Sequence, residues 1–113
     1  MKKITKKQKK VLKQLKGVYE EIALERAHFC TGCGRSDVPL SHSHLIPRSR
    51  RKDLITNKQN ITYHCLSQGG RTGCHDLWET NAGRKKLLDY HKNMETILEL
   101  DTEYYFLLTE WDY

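Results

Sequence analysis

The chain has 113 residues, enough for one domain, with 37% hydrophobic and 30% charged residues. No apolar run approaches the length of a bilayer span, and the N-terminal MKKITKKQKK lacks the apolar stretch of a secretory signal, so an intracellular chain with no membrane partner is expected. The net charge of +6 is uneven: residues 1 to 16 hold eight lysines and no acid, while residues 85 to 113 hold seven acids against three bases, which fits a polyanionic partner such as nucleic acid.

Residues 4 to 27 read as a helix. Ile4, Val11, Leu15, Val18 and Ile22 form an apolar stripe among lysines, and Gly17 weakens it locally. From residue 28 to 82 glycine, proline and cysteine replace the helical pattern. VPLSHSHLIP predicts a strand ending at Pro47, and NITYHC, rich in β-branched and aromatic residues, predicts a second. CHDLWETN reads as a helix start. Residues 84 to 99 again read as helix, with Leu87, Leu88, His91, Met94, Ile97 and Leu98 on one face. A break near Asp101 precedes a last helix over 102–110, whose Tyr104, Phe106, Leu107, Leu108 and Trp111 are expected to dock on the core.

A core this small calls for a staple. In a reducing compartment four cysteines more often bind metal than pair as disulfides. Cys30 and Cys33, in CTGC followed by Gly34, form a C-x2-C knuckle. Cys65 and Cys74 complete a second knuckle widened by the inserted SQGGRTG. Tetrahedral structural Zn²⁺ on Cys30, Cys33, Cys65 and Cys74 is the expectation, with four thiolates closing the shell and leaving no position for catalysis. The competing readings are four free thiols or a redox pair, and no βαβ pattern surrounds the C-x2-C to favour the latter.

Between the cysteine pairs lie SHLIPRS with His44, Asn60 at the head of NITYHC, and His75 in CHDLWE. This order of histidine, asparagine and histidine, interleaved with two cysteine pairs, resembles the HNH endonuclease family of His-metal-finger nucleases over residues 30 to 79. The resemblance implies a ββα-metal core in which His44 is the general base, Asn60 braces the loop that positions it, and His75 ligates a catalytic divalent ion (Mg²⁺, Mn²⁺, Ni²⁺ or Zn²⁺). A histidine near neutrality suits proton removal from water. Glu79, four residues beyond His75, would be a second ligand suited to a hard ion. Hydrolysis would leave 5′-phosphate and 3′-hydroxyl ends. Where the family carries aspartate or histidine just before the base, this chain has Ser43, a poor ligand. His42 is the substitute ligand, with His64 on the opposing strand the alternative. Arg48, Arg50, Arg51 and Lys52 follow the base closely and are expected to hold DNA phosphates, with Arg35 and Arg71 weaker candidates.

The expected architecture is therefore α+β in a single HNH domain, 1–113. A basic N-terminal helix occupies 1–28, a zinc-stapled ββα-metal core 29–82, and helices 83–113. The expected activity is metal-dependent DNA cleavage. Compact proteins of this type resemble those of bacteriophages, which would place this one in the bacterial host cytoplasm. The alternatives are a zinc-dependent DNA-binding module without catalysis and an accessory subunit docking on packaging machinery such as a phage terminase.

Overall fold

A computed structural model of the chain describes residues 5–110. Helix α1, Lys6–Glu25, starts at a reciprocal cap: Thr5 Oγ1 accepts the Gln8 N–H and the Gln8 side chain accepts the Thr5 N–H. Its apolar stripe is real but only partly used. Ile22 is the one residue of α1 that is buried, packing on Ile61 and Tyr63 with Val18 and Tyr19 beside it. Two ion pairs from Lys58, to Glu21 and Glu25, hold the same end of the helix. The lysine-bearing half, up to Lys16, stays largely exposed. Ile4 lies outside the described residues.

Strands β1, Leu40–His44, and β2, Ile61–Cys65, pair antiparallel with His42 opposite Tyr63 and His44 opposite Ile61. Strand alternation puts Leu40, His42 and His44 on one face of β1 and Ser41 and Ser43 on the other. Every residue of β2 is buried, because the hairpin is covered on both sides. The stripe of α1 covers Ile61 and Tyr63. The larger core, built from Leu45, Ile46, Leu54, Trp78, Leu87, Met94 and Ile97 around three of the cysteines, lies elsewhere.

CHDLWETN starts a helix as expected but stops after one turn, and a second single turn begins at its last residue. These are α2, Cys74–Leu77, and α3, Asn81–Arg84, the second capped by the Thr80 hydroxyl. Helix α4, Tyr90–Leu100, begins six residues later than the sequence predicts. The delay has a local cause. The Leu88 N–H bonds to the Gly32 carbonyl at 2.8 Å, and Asp89 is drawn inward by His64 and Thr31. That path turns Leu88 to solvent, and His91 and Leu98 also fall on the exposed side, leaving Leu87, Met94 and Ile97 as the buried set. Helix α5, Thr102–Glu110, follows a break at Asp101, as predicted. Tyr104, Tyr105 and Leu108 pack on the core, whereas Phe106 and Leu107 face out. Trp111 lies outside the described residues. The fold is thus mixed α+β, with five α-helices and one two-stranded antiparallel sheet among the described residues. None of those helices is long and apolar enough to cross a membrane.

Candidate metal centre and histidine site

The first knuckle is a turn closed by the Gly34 N–H on the Cys30 carbonyl at 2.7 Å, and Gly34 adopts φ 82°, where a side chain would strain it. Gly32 is required for a different reason: a Cβ there would meet Cys74 Sγ at 2.9 Å. These close approaches let loops far apart in sequence bring four sulfurs together. The Sγ atoms of Cys30, Cys33, Cys65 and Cys74 all lie within 4.8 Å of one another. Zinc–sulfur bonds of about 2.3 Å in a tetrahedron put ligand sulfurs about 3.8 Å apart. Cys33 and Cys65 are separated by 3.8 Å. All four cysteines are free thiols, and the cluster can hold a zinc ion.

The electrostatics of the cluster also favour a cation. Burial pushes the Cys65 thiol up, but the Cys74 N–H, Arg71 and the neighbouring thiols outweigh it and bring Cys65 down to about 6. Burial and then the other sulfurs push Cys74 up, and burial raises Cys33. The Cys65 thiolate forms readily, while Cys33 and Cys74 resist ionising beside it. A divalent cation removes that conflict by collecting all four negative charges.

The histidine motif sits on and around the hairpin. His44 ends β1, and its Nε2 lies 2.9 Å from the Ile55 carbonyl oxygen. A carbonyl can only accept, so Nε2 carries a proton, and in the neutral ring the lone pair is on Nδ1. Asn60 is fully buried and spans the loop between the strands. Its Oδ1 accepts the Ile46 N–H at 2.8 Å, and its Nδ2 donates to the carbonyls of Ile46 at 3.0 Å and Leu54 at 3.2 Å. The residue that orients His44, Ile55, thus follows directly on one that Asn60 clamps.

His75 opens α2 half-buried. The Ser41 hydroxyl donates its single proton to the His64 carbonyl at 2.9 Å, so at 3.1 Å from His75 Nδ1 its oxygen accepts. His75 is thereby held as the Nδ1–H tautomer with Nε2 available, the arrangement in which a second partner orients a metal-ligating imidazole. The remaining expected ligands are not gathered around it. Ser43 is buried. His42 is on the other face of β1, stacked on Tyr19 with ring centroids 3.7 Å apart and tilted against Tyr63. Glu79 is exposed: α2 has ended by Leu77, and the Glu79 N–H bonds back to Asp76, so the clean helical turn expected between His75 and Glu79 is not built. His64, the alternative ligand, is fully buried with Nε2 2.9 Å from Asp89. Among the described residues the cysteine cluster is the one group of three or more His, Cys, Asp or Glu side chains placed to share an ion.

The basic stretch after His44 divides in two. Arg50 bonds Asp101 at 3.2 Å, lies 3.7 Å from Glu103, and stacks over Tyr104. Arg51 grips Asp53 with two bonds, at 2.8 and 2.7 Å, and also reaches Asp101 at 3.4 Å. These two arginines latch the loop to the α4–α5 junction. Arg48 and Lys52 are exposed and have no partner among the described residues.

Two features have no counterpart in the sequence reading. One is the buried network of His64, Asp89 and Thr31, in which the carboxylate of Asp89 is held below the usual range: burial raises it, but hydrogen bonds from His64 and Thr31 prevail. The other is Trp78, whose Nε1–H donates to the Leu45 carbonyl at 3.1 Å beneath the guanidinium of Arg84. The Trp in CHDLWE was the visible signal for the second, and nothing local marks Asp89 as a buried partner.

No protein-family model, no curated protein and no solved structure matches this chain.

Proposed function

We propose that the protein is a small HNH-type nuclease that hydrolyses phosphodiester bonds in DNA, its fold held by zinc on the four cysteines. The observation that carries this reading is the paired bracing of one loop: Asn60 clamps Ile46 and Leu54 while His44 bonds to Ile55. The HNH resemblance assigns Asn60 the bracing of the loop that positions His44, and His44 the removal of the proton. The Nδ1 lone pair of a neutral His44 would take a proton from water as the water oxygen attacks phosphorus. Arg48 and Lys52 are the cations available to a phosphate beside it, and the lysines of α1 add affinity that falls with salt.

Such hydrolysis draws on a divalent ion to stabilise charge on the phosphate and leaving oxygen. In this chain His75 is an oriented donor but is held by Ser41, on the opposite face of β1 from His44, and Ser43, His42 and Glu79 do not complete a shell around it. That specific shortfall favours a second reading, a zinc-dependent nucleic-acid-binding module without catalysis.

Plasmid cleavage separates the two. Protein stripped of loosely held metal is assayed with Mg²⁺, Mn²⁺ or Ni²⁺ beside His44→Ala. Metal-dependent nicking or linearisation that disappears in the variant, with DNA binding retained, supports the nuclease. DNA binding with no cleavage in any of the metals supports the binding module.

A further inference from the structure

The SQGGRTG segment that separates Cys65 from Cys74 is a built element. Gln68 and Arg71 exchange two backbone hydrogen bonds of 3.0 Å each, and the two residues between them, Gly69 and Gly70, adopt φ 55° and 80°. That is a two-residue hairpin turn with both central residues in the left-handed region, which glycine alone enters freely. At its base the Ser67 hydroxyl accepts the Gly73 N–H at 2.8 Å and donates to Asp76 at the start of α2. Gly73 has no room for a side chain, since a Cβ would lie 2.4 Å from the Cys65 carbonyl oxygen. Each of these residues fixes the path of the loop.

What the loop delivers is Arg71. One arm of its guanidinium donates to Cys65 Sγ at 3.3 Å and the other to the Leu66 carbonyl at 3.2 Å. The same sulfur receives the Cys74 N–H at 3.3 Å, and Cys30 Sγ receives the Cys65 N–H at 3.2 Å. Four thiolates around one Zn²⁺ leave a net charge of about −2 on the cluster. Arg71 places a permanent positive charge directly on one of its sulfurs. The other nearby arginine, Arg35, spends its guanidinium on Asp37, at 3.1 and 3.0 Å.

We infer that the inserted hairpin is the outer wall of the metal centre and that Arg71 is a positioning residue for the zinc-bound Cys65, governing how tightly the ion is held. The inference rests on reading the four cysteines as a zinc site, and it moves Arg71 from the surface available to phosphate into the support of the metal. Charge compensation and the N–H···S bond both lower the thiolate's tendency to be protonated or to leave the ion.

The test is zinc affinity and zinc loss, read with a chromophoric chelator on the full-length protein, for wild type, Arg71→Ala, Arg71→Lys and Arg35→Ala. The expected result is zinc held about 10–100-fold more weakly by Arg71→Ala, a smaller loss in Arg71→Lys, which keeps charge without the two-armed grip, and no change in Arg35→Ala. Circular dichroism of the zinc-loaded forms checks that the fold is kept. Should Arg71→Ala not fold, the comparison of Arg71→Lys with Arg35→Ala decides. Wild-type affinity in both Arg71 variants, or an equal loss in Arg35→Ala, overturns the role of Arg71. Absence of zinc from the wild-type protein overturns the metal reading itself, a separate outcome.

Discussion

Asn60 grips Ile46 by both ends of its backbone, accepting from the N–H at 2.8 Å and donating to the carbonyl at 3.0 Å. An amide is the one side chain of this size that offers acceptor and donor together. Replacing it by alanine strands the N–H and carbonyl of Ile46 in the interior and leaves the Leu54 carbonyl with the Asn57 N–H alone. Asn60→Ala is expected to lose about 2–4 kcal/mol of stability in urea unfolding, and Asn60→Asp at least as much at neutral pH, since its carboxylate faces the carbonyls of Ile46 and Leu54. A loss below that of an ordinary surface substitution would remove Asn60 from its role as brace.

Zinc and folding are expected to be one event. The sulfurs come from the knuckle at 30–33, the end of β2 and the start of α2, so removing the ion uncouples three segments at once. Purified protein should carry one zinc per chain. A strong chelator should abolish its cooperative thermal transition, and Cys33→Ser should lower both zinc content and melting temperature. A transition unchanged after verified metal removal would count against the staple.

The latch at the α4–α5 junction gives a pH signature. Burial raises the Asp101 carboxyl, but bonds from Arg50, the Tyr104 N–H and Arg51 hold it below the ordinary carboxylate range. Its contribution is therefore present above the unfolded value of about 4 and drains as pH falls through the folded one. Asp101→Asn is expected to cost about 1–2 kcal/mol near pH 6, with the difference from wild type shrinking towards pH 3. The same variant takes from Arg50 its nearest carboxylate while Arg51 keeps Asp53, and tighter DNA binding through Arg50 is expected from it. An undiminished stability difference at pH 3 would show that the charge is not the source.

His42 gives a second pH signature, nearer neutrality. Burial, then the nearness of His44 and His28, lowers its pKa, and its ring stacks on Tyr19 of α1. A base depressed in the folded state stabilises above its unfolded value of about 6.5, and that stability is lost as pH falls through the folded value. Protonation at mildly acid pH should loosen α1. Titration by NMR should place His42 below the ordinary histidine range, and His42→Phe should lessen the acid-side fall in melting temperature. If wild type and variant fall alike between pH 7.5 and 5.5, the stack is not what titrates.

Much of this architecture was legible because its signals are local. The α1 stripe, the β-branched NITYHC and the break at Asp101 each depend on neighbours in sequence, and the C-x2-C turn announces its own geometry. Leu88 was misplaced because its N–H is claimed by Gly32, more than fifty residues away, which no helical periodicity reveals. Arg50 read as a substrate contact for the same reason: its carboxylate partner Asp101 arrives from a distant helix junction, whereas Arg51 is held first by Asp53, two residues on. Glu79 depended on α2 running one turn longer than it does. Arg71 was seen as a basic residue in a loop, and only the folded hairpin aims it at sulfur.

The slight anchoring of α1 has a mechanical consequence. Held mainly around Ile22, the helix carries the lysines from Lys6 to Lys16 on an outrigger. From Lys6 to Val18 it extends about 18 Å at 1.5 Å per residue, roughly twice the distance over which physiological salt hides a charge. A polyanion approaching from that side would therefore meet the charge of the tip first.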